Sequence, residues 1–216
     1  ILYGGDGNDH IDGGGGSDEI DGGVGIDEVT YLGGSGVIVN LGNDQIVGDA
    51  GLVAAGTATD GFSQVDTLAN VENVTGSSYS DYLIGDAGAN VLSGVAGNDV
   101  LDGGSGNDEI YGGTGNDHIL GGDGDDQIDG GDGADEIYGN SGNDEILGGT
   151  GNDHISGGTD DDHIDGGDGD DEIYGDSGND EILGGNDNDN IWGGDGNDQI
   201  DGGSGNDHIL GGDGDD

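Results

Sequence analysis

Aspartate recurs every nine residues along most of this 216-residue chain, and it is the side chain best placed to do chemistry. It stands sixth in a nine-residue repeat, G-G-x-G-x-D-x-U-x, where U is a large aliphatic residue. Carboxylates are hard oxygen donors, so the chemistry they favour is the binding of a hard cation. The candidate metal ligands are Asp9, Asp18, Asp27, Asp99, Asp108, Asp117, Asp126, Asp135, Asp144, Asp153, Asp162, Asp171, Asp180, Asp189, Asp198, Asp207 and Asp216.

The repeat also indicates the elements that position these carboxylates. Its glycine-rich run of six residues predicts a turn, because glycine tolerates positive φ and close backbone approach. The remaining x-U-x is too short for a helix and predicts a short strand with U on the inner face. Two repeats then make an 18-residue coil. Stacked coils predict an all-β fold, a parallel β-roll or β-helix-like solenoid, with a narrow aliphatic core between two parallel sheets.

Stacking would place the aspartate of each turn beside the aspartate 18 residues later. Such carboxylates repel strongly unless a cation lies between them, and carbonyl oxygens of the glycine-rich turns face the same space. An all-oxygen site of flexible geometry suits Ca²⁺ better than Mg²⁺. We therefore expect calcium between stacked turns, about one ion per consensus repeat. The pattern is weaker at Asn90, which lacks the charge, and at residues 76–79, where turn glycines are missing.

The composition of the chain points to the same dependence on a cation. Asp and Glu number 50, Lys and Arg are both missing, and the formal net charge is −50 at pH 7. Self-repulsion opposes compaction, and with 28% hydrophobic residues the chain without counter-ions has the composition of a disordered protein. Nucleic acid is excluded as a partner because no basic side chain is present to meet phosphates. The sequence has no long apolar run and no cysteine, so we expect no membrane insertion and no disulfides.

The repeat resembles the nonapeptide of the RTX (repeats in toxin) family. Units such as GGSGNDEIY and GGTGNDHIL follow one another in frame from residue 76 to residue 210. The resemblance implies a calcium-binding parallel β-roll in which the sixth-position aspartates bind the ion together with turn carbonyls. It also implies an extracellular location, secretion by a type I route that uses no signal peptide, and folding on export into a calcium-rich exterior.

Three segments are predicted: repeats over 1–30, a non-consensus β insert over 31–75, and repeats over 76–216. Within the insert, residues 36–41 and 44–47 have the character of strands. Residues 66–76 resemble a segment often seen beside RTX repeats. The insert is 45 residues long, equal to five repeats, so we interpret it as a wider, calcium-free part of the same solenoid. The alternative is a bulge that binds a ligand or a glycan.

The predicted function is structural, with no enzymatic activity and no catalytic residues. The final GGDGDD joined to the initial ILY spells a complete repeat, which predicts one 216-residue period of a longer array, covalent or assembled head to tail from copies. Such an array would suit an extracellular fibre, a giant adhesin or a surface-layer-like protein. The alternative is a calcium-dependent folding and secretion module attached to a type I-secreted enzyme or toxin.

Overall fold

The structure is a computed structural model that describes residues 1–42, 46–48 and 51–216. The described residues contain strands and turns but no helix, and therefore no helix capable of crossing a membrane. The described strands form two large sheets of mainly parallel strands and one small hairpin, which confirms the predicted all-β solenoid.

The two large sheets face each other across the core, and we call them the long sheet and the short sheet. Among the described residues the long sheet has 13 strands and the short sheet has 10. The strands of the long sheet are β1 (Leu2–Asp6), β3 (Glu19–Val24), β5 (Ile38–Asn40), β8 (Thr57–Thr59), β9 (Val65–Ala69), β11 (Tyr82–Ile84), β13 (Val100–Ser105), β15 (His118–Asp123), β17 (Glu136–Ser141), β19 (His154–Thr159), β21 (Glu172–Ser177), β23 (Asn190–Asp195) and β25 (His208–Asp213). Those of the short sheet are β2 (His10–Asp12), β4 (Glu28–Thr30), β10 (Asn73–Thr75), β12 (Val91–Ala96), β14 (Glu109–Thr114), β16 (Gln127–Asp132), β18 (Glu145–Thr150), β20 (His163–Asp168), β22 (Glu181–Asn186) and β24 (Gln199–Asp201).

In the repeats, each nonapeptide moves the chain from one large sheet to the other. Strands therefore pair in parallel with the strand two repeats later, as Ile110 does with Ile128 and Ile119 does with Ile137. The position-eight aliphatic side chains point inward and pack in a single file that is almost free of solvent from Leu83 to Ile191. One aliphatic side chain per nine residues thus forms the core between the two sheets.

Most repeat strands are longer than the sequence predicts. Strands such as β14 cover six residues, x-U-x-G-G-x, rather than x-U-x alone. The two glycines continue the ladder, since Gly113 pairs with Gly131 in the next coil. Only positions four to six remain for the turn, and Gly106 at position four adopts a φ of 125° there. The glycines thus serve the sheet as well as the turn.

The insert departs from parallel pairing. Strand β5 is antiparallel to β8, and β8 is antiparallel to β9, whereas β9 pairs in parallel with β3 and β5 with β11. In the short sheet, β10 pairs in parallel with β4 on one side and β12 on the other. Of the strand expected over 44–47, residues 44 and 45 lie outside the described residues, and β6 (Ile46–Gly48) forms an antiparallel hairpin with β7 (Gly51–Val53).

An aromatic column runs along the outer face of the long sheet. Tyr138 lies between His118 and His154 with edge-to-face ring contacts, and His154 in turn contacts Tyr174. Trp192, the only tryptophan in the chain, stacks on Tyr174 with ring centroids 4.6 Å apart. Its fluorescence is therefore a local probe of whether these coils are stacked.

Candidate metal centre

The sixth-position aspartates form a column inside each edge of the solenoid. From Asp99 onward, each accepts through Oδ1 the main-chain N–H of the sixth-position residue one coil earlier, as Asp117 does from Asp99 and Asp135 does from Asp117, both at 2.8 Å. Among the candidates, Asp27 and the residues from Asp99 to Asp198 are buried. Asp9, Asp18 and Asp207 are half-buried, and Asp216 is exposed at the last turn.

The second oxygen of these carboxylates has no protein partner. Oδ2 is fully buried and unpaired in Asp9 and Asp27, and in every sixth-position aspartate from Asp99 to Asp198. A buried carboxylate oxygen without a partner is strongly disfavoured unless a cation or proton compensates it. A row of such oxygens, one per repeat, indicates that the folded chain requires a positive charge at each repeat.

The unpaired oxygens face the first glycine of their own repeat. A Cβ placed on Gly103 would lie 2.5 Å from Asp108 Oδ2 and 2.5 Å from the carbonyl oxygen of Gly121. At Gly112 the corresponding distances are 2.6 Å to Asp117 Oδ2 and 2.5 Å to the carbonyl oxygen of Gly130. A carboxylate oxygen and a main-chain carbonyl from the next coil therefore converge on a space that only glycine leaves open.

This donor set fits a hard cation. Among the described residues, no three Asp, Glu or His side chains converge closely enough to hold a metal by themselves. Main-chain carbonyls must therefore complete the coordination, as the sequence predicts. A set of carboxylate and carbonyl oxygens without sulfur or imidazole is typical of calcium sites.

The electrostatics of the column agree with this interpretation. Burial raises the pKa of Asp99 from 3.8 to about 7, against the lowering effect of the N–H donated by Asp81, and the neighbouring carboxylates add to the rise. The same causes raise the pKa to about 7 in Asp126 and to about 8 in Asp162. At neutral pH and without a bound cation, these aspartates must therefore either bind protons or keep charges that are costly to bury.

Outside this column the chain avoids placing acidic residues side by side. Along position seven of the short sheet, acidic and non-acidic residues alternate: Glu109, Gln127, Glu145, His163, Glu181 and Gln199 are successive neighbours. Among the described strand pairs, Asp195 and Asp213 are the only two acidic residues directly opposite each other. The sixth position alone carries a carboxylate in coil after coil, which singles it out as the place where a cation is required.

Comparison with known families agrees with this geometry. The family model of the RTX calcium-binding nonapeptide repeat, which spans four copies, matches residues 1–29, 75–110, 111–146, 147–182 and 183–216. The chain belongs to the RTX calcium-binding repeat family. A comparison with curated proteins gave no significant match. Membership of the RTX family implies calcium binding by this chain, and it confirms the resemblance drawn from the nonapeptides.

The matched ranges leave out most of the insert, where other residues occupy the inner column. Asp66 Oδ1 accepts the N–H of Asp18, and Glu72 Oε2 accepts the N–H of Asp27. Sequence reasoning missed both. Asp66 stands 48 residues from its donor, outside the nine-residue frame. Glu72 stands 45 residues from Asp27, at position six of the frame, so its spacing was a signal that could have found it. The recurrent Gly-Asn-Asp of the RTX units is a second pattern from which a contact could have been predicted. The Asn at position five forms an outer ladder, in which Asn179 Nδ2 donates to Asp161 and Asn197 Nδ2 donates to Asn179.

Proposed function

We propose that this RTX chain is a calcium-dependent structural segment of a secreted, repetitive extracellular protein, such as a fibre, a giant adhesin or a surface-layer-like protein. The observation that carries the proposal is the column of buried, unpaired Oδ2 atoms that runs from Asp99 to Asp198. A small binding site would need only a few such oxygens. A column of this length makes the stability of the whole rod dependent on bound cations.

The residues proposed to hold calcium are the sixth-position aspartates with consensus turns, about one ion per repeat. Each offers Oδ2, and the first glycine two repeats later offers its carbonyl, as Asp108 and Gly121 do. Bound calcium supplies the positive charge that the chain lacks. The aspartates hold the stack together at the same time, because their Oδ1 atoms fix the N–H groups of the coil before.

Dependence on calcium also supports the proposed extracellular location. Ligands that bind only the folded state stabilise it by mass action, so a chain of this kind stays unfolded where calcium is scarce. The formal charge of −50 favours an extended chain in that state. We propose that folding accompanies export. The lack of Lys and Arg also removes cleavage sites for trypsin-like proteases outside the cell.

A structural role is proposed in preference to a catalytic one. Each coil contacts its neighbours through the same ladder, so the stack can be lengthened without changing any local contact. The 13 described strands of the long sheet, at about 4.8 Å each, give a rod of about 60 Å. Small-angle X-ray scattering in calcium is expected to show this rod, and light scattering at rising concentration tests whether copies associate end to end.

The central test is a calcium titration followed by far-ultraviolet circular dichroism and by Trp192 fluorescence, with magnesium as the control. A cooperative gain of β-structure is expected with calcium and not with magnesium. Isothermal titration calorimetry on the same samples gives the number of ions, which the proposal places near the number of consensus repeats. A spectrum that does not respond to calcium would refute the proposal.

A further inference from the structure

The inner column contains two kinds of position. At the first kind Oδ2 is buried without a partner, as at Asp99 and Asp135. At the second kind the protein itself supplies the hydrogen-bond donors. All positions of the second kind lie in the insert or in the two units that follow it.

Asp81 is the clearest example of the second kind. Its Oδ2 accepts the N–H of Ser77 at 2.5 Å, and its Oδ1 accepts the Ser77 hydroxyl at 2.9 Å and the N–H of Val37 at 2.7 Å. Ser77 stands where the consensus has its second glycine. The residue that breaks the repeat is thus the one that satisfies the carboxylate, and Asp81 is buried with both oxygens paired.

Asn90 achieves the same result with a different group. Its Oδ1 faces Gly85 and accepts the N–H of Asp86 at 2.8 Å within its own turn, and its Nδ2 donates to the carbonyl oxygen of Glu72, one coil earlier, at 2.6 Å. The amide nitrogen therefore lies where the column has the oxygen that faces the coil before, and it meets a carbonyl directly. No positive charge is needed at that step.

Asp66 is paired by a tyrosine. The buried hydroxyl of Tyr31 donates to Asp66 Oδ2 at 3.2 Å, while Asp66 Oδ1 accepts the N–H of Asp18 at 2.8 Å. Asp60 nearby differs, because its Oδ1 accepts the N–H groups of Phe62 and Gln64 but its Oδ2 stays unpaired.

The apolar core is also denser here than in the repeats. Val37 and Val39 are buried two residues apart, and Leu68, Val71 and Val74 are buried at intervals of three. The repeats bury one aliphatic side chain in nine. More apolar surface buried per residue means that hydrophobic stabilisation depends less on bound ions.

We infer that residues 31–42 and 54–92 form a calcium-independent folded unit, the internal template, on which the repeats on both sides stack when calcium is present. The template offers ready strand edges to each array, since β9 pairs with β3, β10 with β4 and β12, and β11 with β13. This inference rests on the proposed calcium-dependent folding of the repeats. It identifies the internal template as the place where that folding starts.

Hydrogen–deuterium exchange of the full chain, in a calcium chelator and in calcium, tests the inference directly. In chelator, amides of β9, β10 and β11 are expected to stay protected while those of β14 to β23 exchange freely. In calcium, both groups are expected to be protected. Uniform exchange of all these strands in chelator, with protection restored by calcium, would overturn the template but leave the proposed function intact. No protection of β14 to β23 in calcium would overturn the proposed function.

A substitution that restores the consensus provides the second test. Asn90→Asp removes the donor to Glu72 and leaves a buried carboxylate oxygen unpaired. In chelator, protection of β10 and β11 is expected to fall by about tenfold, and calcium is expected to restore it. Asn98→Asp is the matched control, because Asn98 is exposed at position five and uses only its oxygen as an acceptor from Asn116. Equal protection of both variants in chelator would overturn the inference.

Discussion

Asp66 and Asp135 occupy equivalent places in two regions of the molecule, the insert and the repeats. Each accepts the main-chain N–H of a sixth-position aspartate through Oδ1, at 2.8 Å. They differ at Oδ2, which accepts the hydroxyl of Tyr31 in Asp66 and has no partner in Asp135. One backbone arrangement can therefore be completed either by a protein donor or by an ion, and which of the two completes it determines whether a coil folds without calcium.

The largest expected effect comes from filling the space in front of a repeat glycine. Gly112→Ala places a methyl group 2.5 Å from the carbonyl oxygen of Gly130 and 2.6 Å from Asp117 Oδ2, so the two oxygens must move apart. We expect a loss of about 3 kcal/mol in the stability of the calcium-bound state, measured by urea unfolding. Gly33→Ala in the insert is the control, because nothing lies within 4 Å of its added methyl group. A loss of similar size in both variants would contradict the role assigned to position one.

Removing one carboxylate from the column should have opposite effects in calcium and in chelator. Asp135→Asn is expected to weaken calcium binding at its coil by about tenfold, equivalent to about 1.4 kcal/mol, in a fluorescence titration. In chelator, where the parent repeats are unfolded, it should shift this coil toward the folded state, because it removes a buried charge and supplies a donor, as Asn90 does. Asp161→Asn, exposed at position five, is expected to change neither. Destabilisation of Asp135→Asn in chelator would contradict this account.

Acid is expected to replace calcium in part. The pKa is about 7 in folded Asp99 and Asp171 and about 6 in Asp135, against 3.8 for the unfolded groups. The folded state therefore binds more protons between these values, so its stability rises as the pH falls from about 7 toward 4. Circular dichroism in chelator should show β-structure appearing over that range. In calcium the trend is expected to reverse, since protons then compete with the ion. Loss of β-structure on acidification in chelator would contradict the assignment.

The smallest effect sharpens the comparison of the two cores. Ile146→Val in a repeat and Leu83→Val in the internal template each remove one carbon from a fully buried core side chain, and about 1 kcal/mol is expected in calcium for both. In chelator only Leu83→Val should lower protection in hydrogen exchange, because the coils around Ile146 are not then folded. Equal effects of the two substitutions in chelator would show that the cores are not independent.

Much of the fold and of the candidate site follows from the period of the sequence. A nine-residue repeat with Ile at position eight and Asp at position six places Ile146 in the core and Asp144 in the column without any tertiary information. The length of the strands was harder to predict, because glycine favours turns and the ladder that Gly113 joins is formed only between coils. Tyr31 and Asp66 could not be predicted, since their contacts join residues 35 and 48 apart that do not share a position in the repeat. Glu72 could have been predicted, because it stands 45 residues after Asp27 at position six of the frame.

The insert also acts on the phase of the solenoid. Successive nonapeptides alternate between faces, so five of them, or 45 residues, should carry the chain from one face to the other. Yet Asn73 pairs with Glu28, 45 residues earlier, in the same sheet. Each repeat after the insert therefore lies in the sheet opposite to the one that counting nine-residue units from residue 1 predicts. Tyr3 and Tyr138, an odd number of repeats apart, consequently share one side of the rod rather than opposite sides. In a fibre built from such segments, the path of each insert rather than its length would decide which side carries the aromatic column.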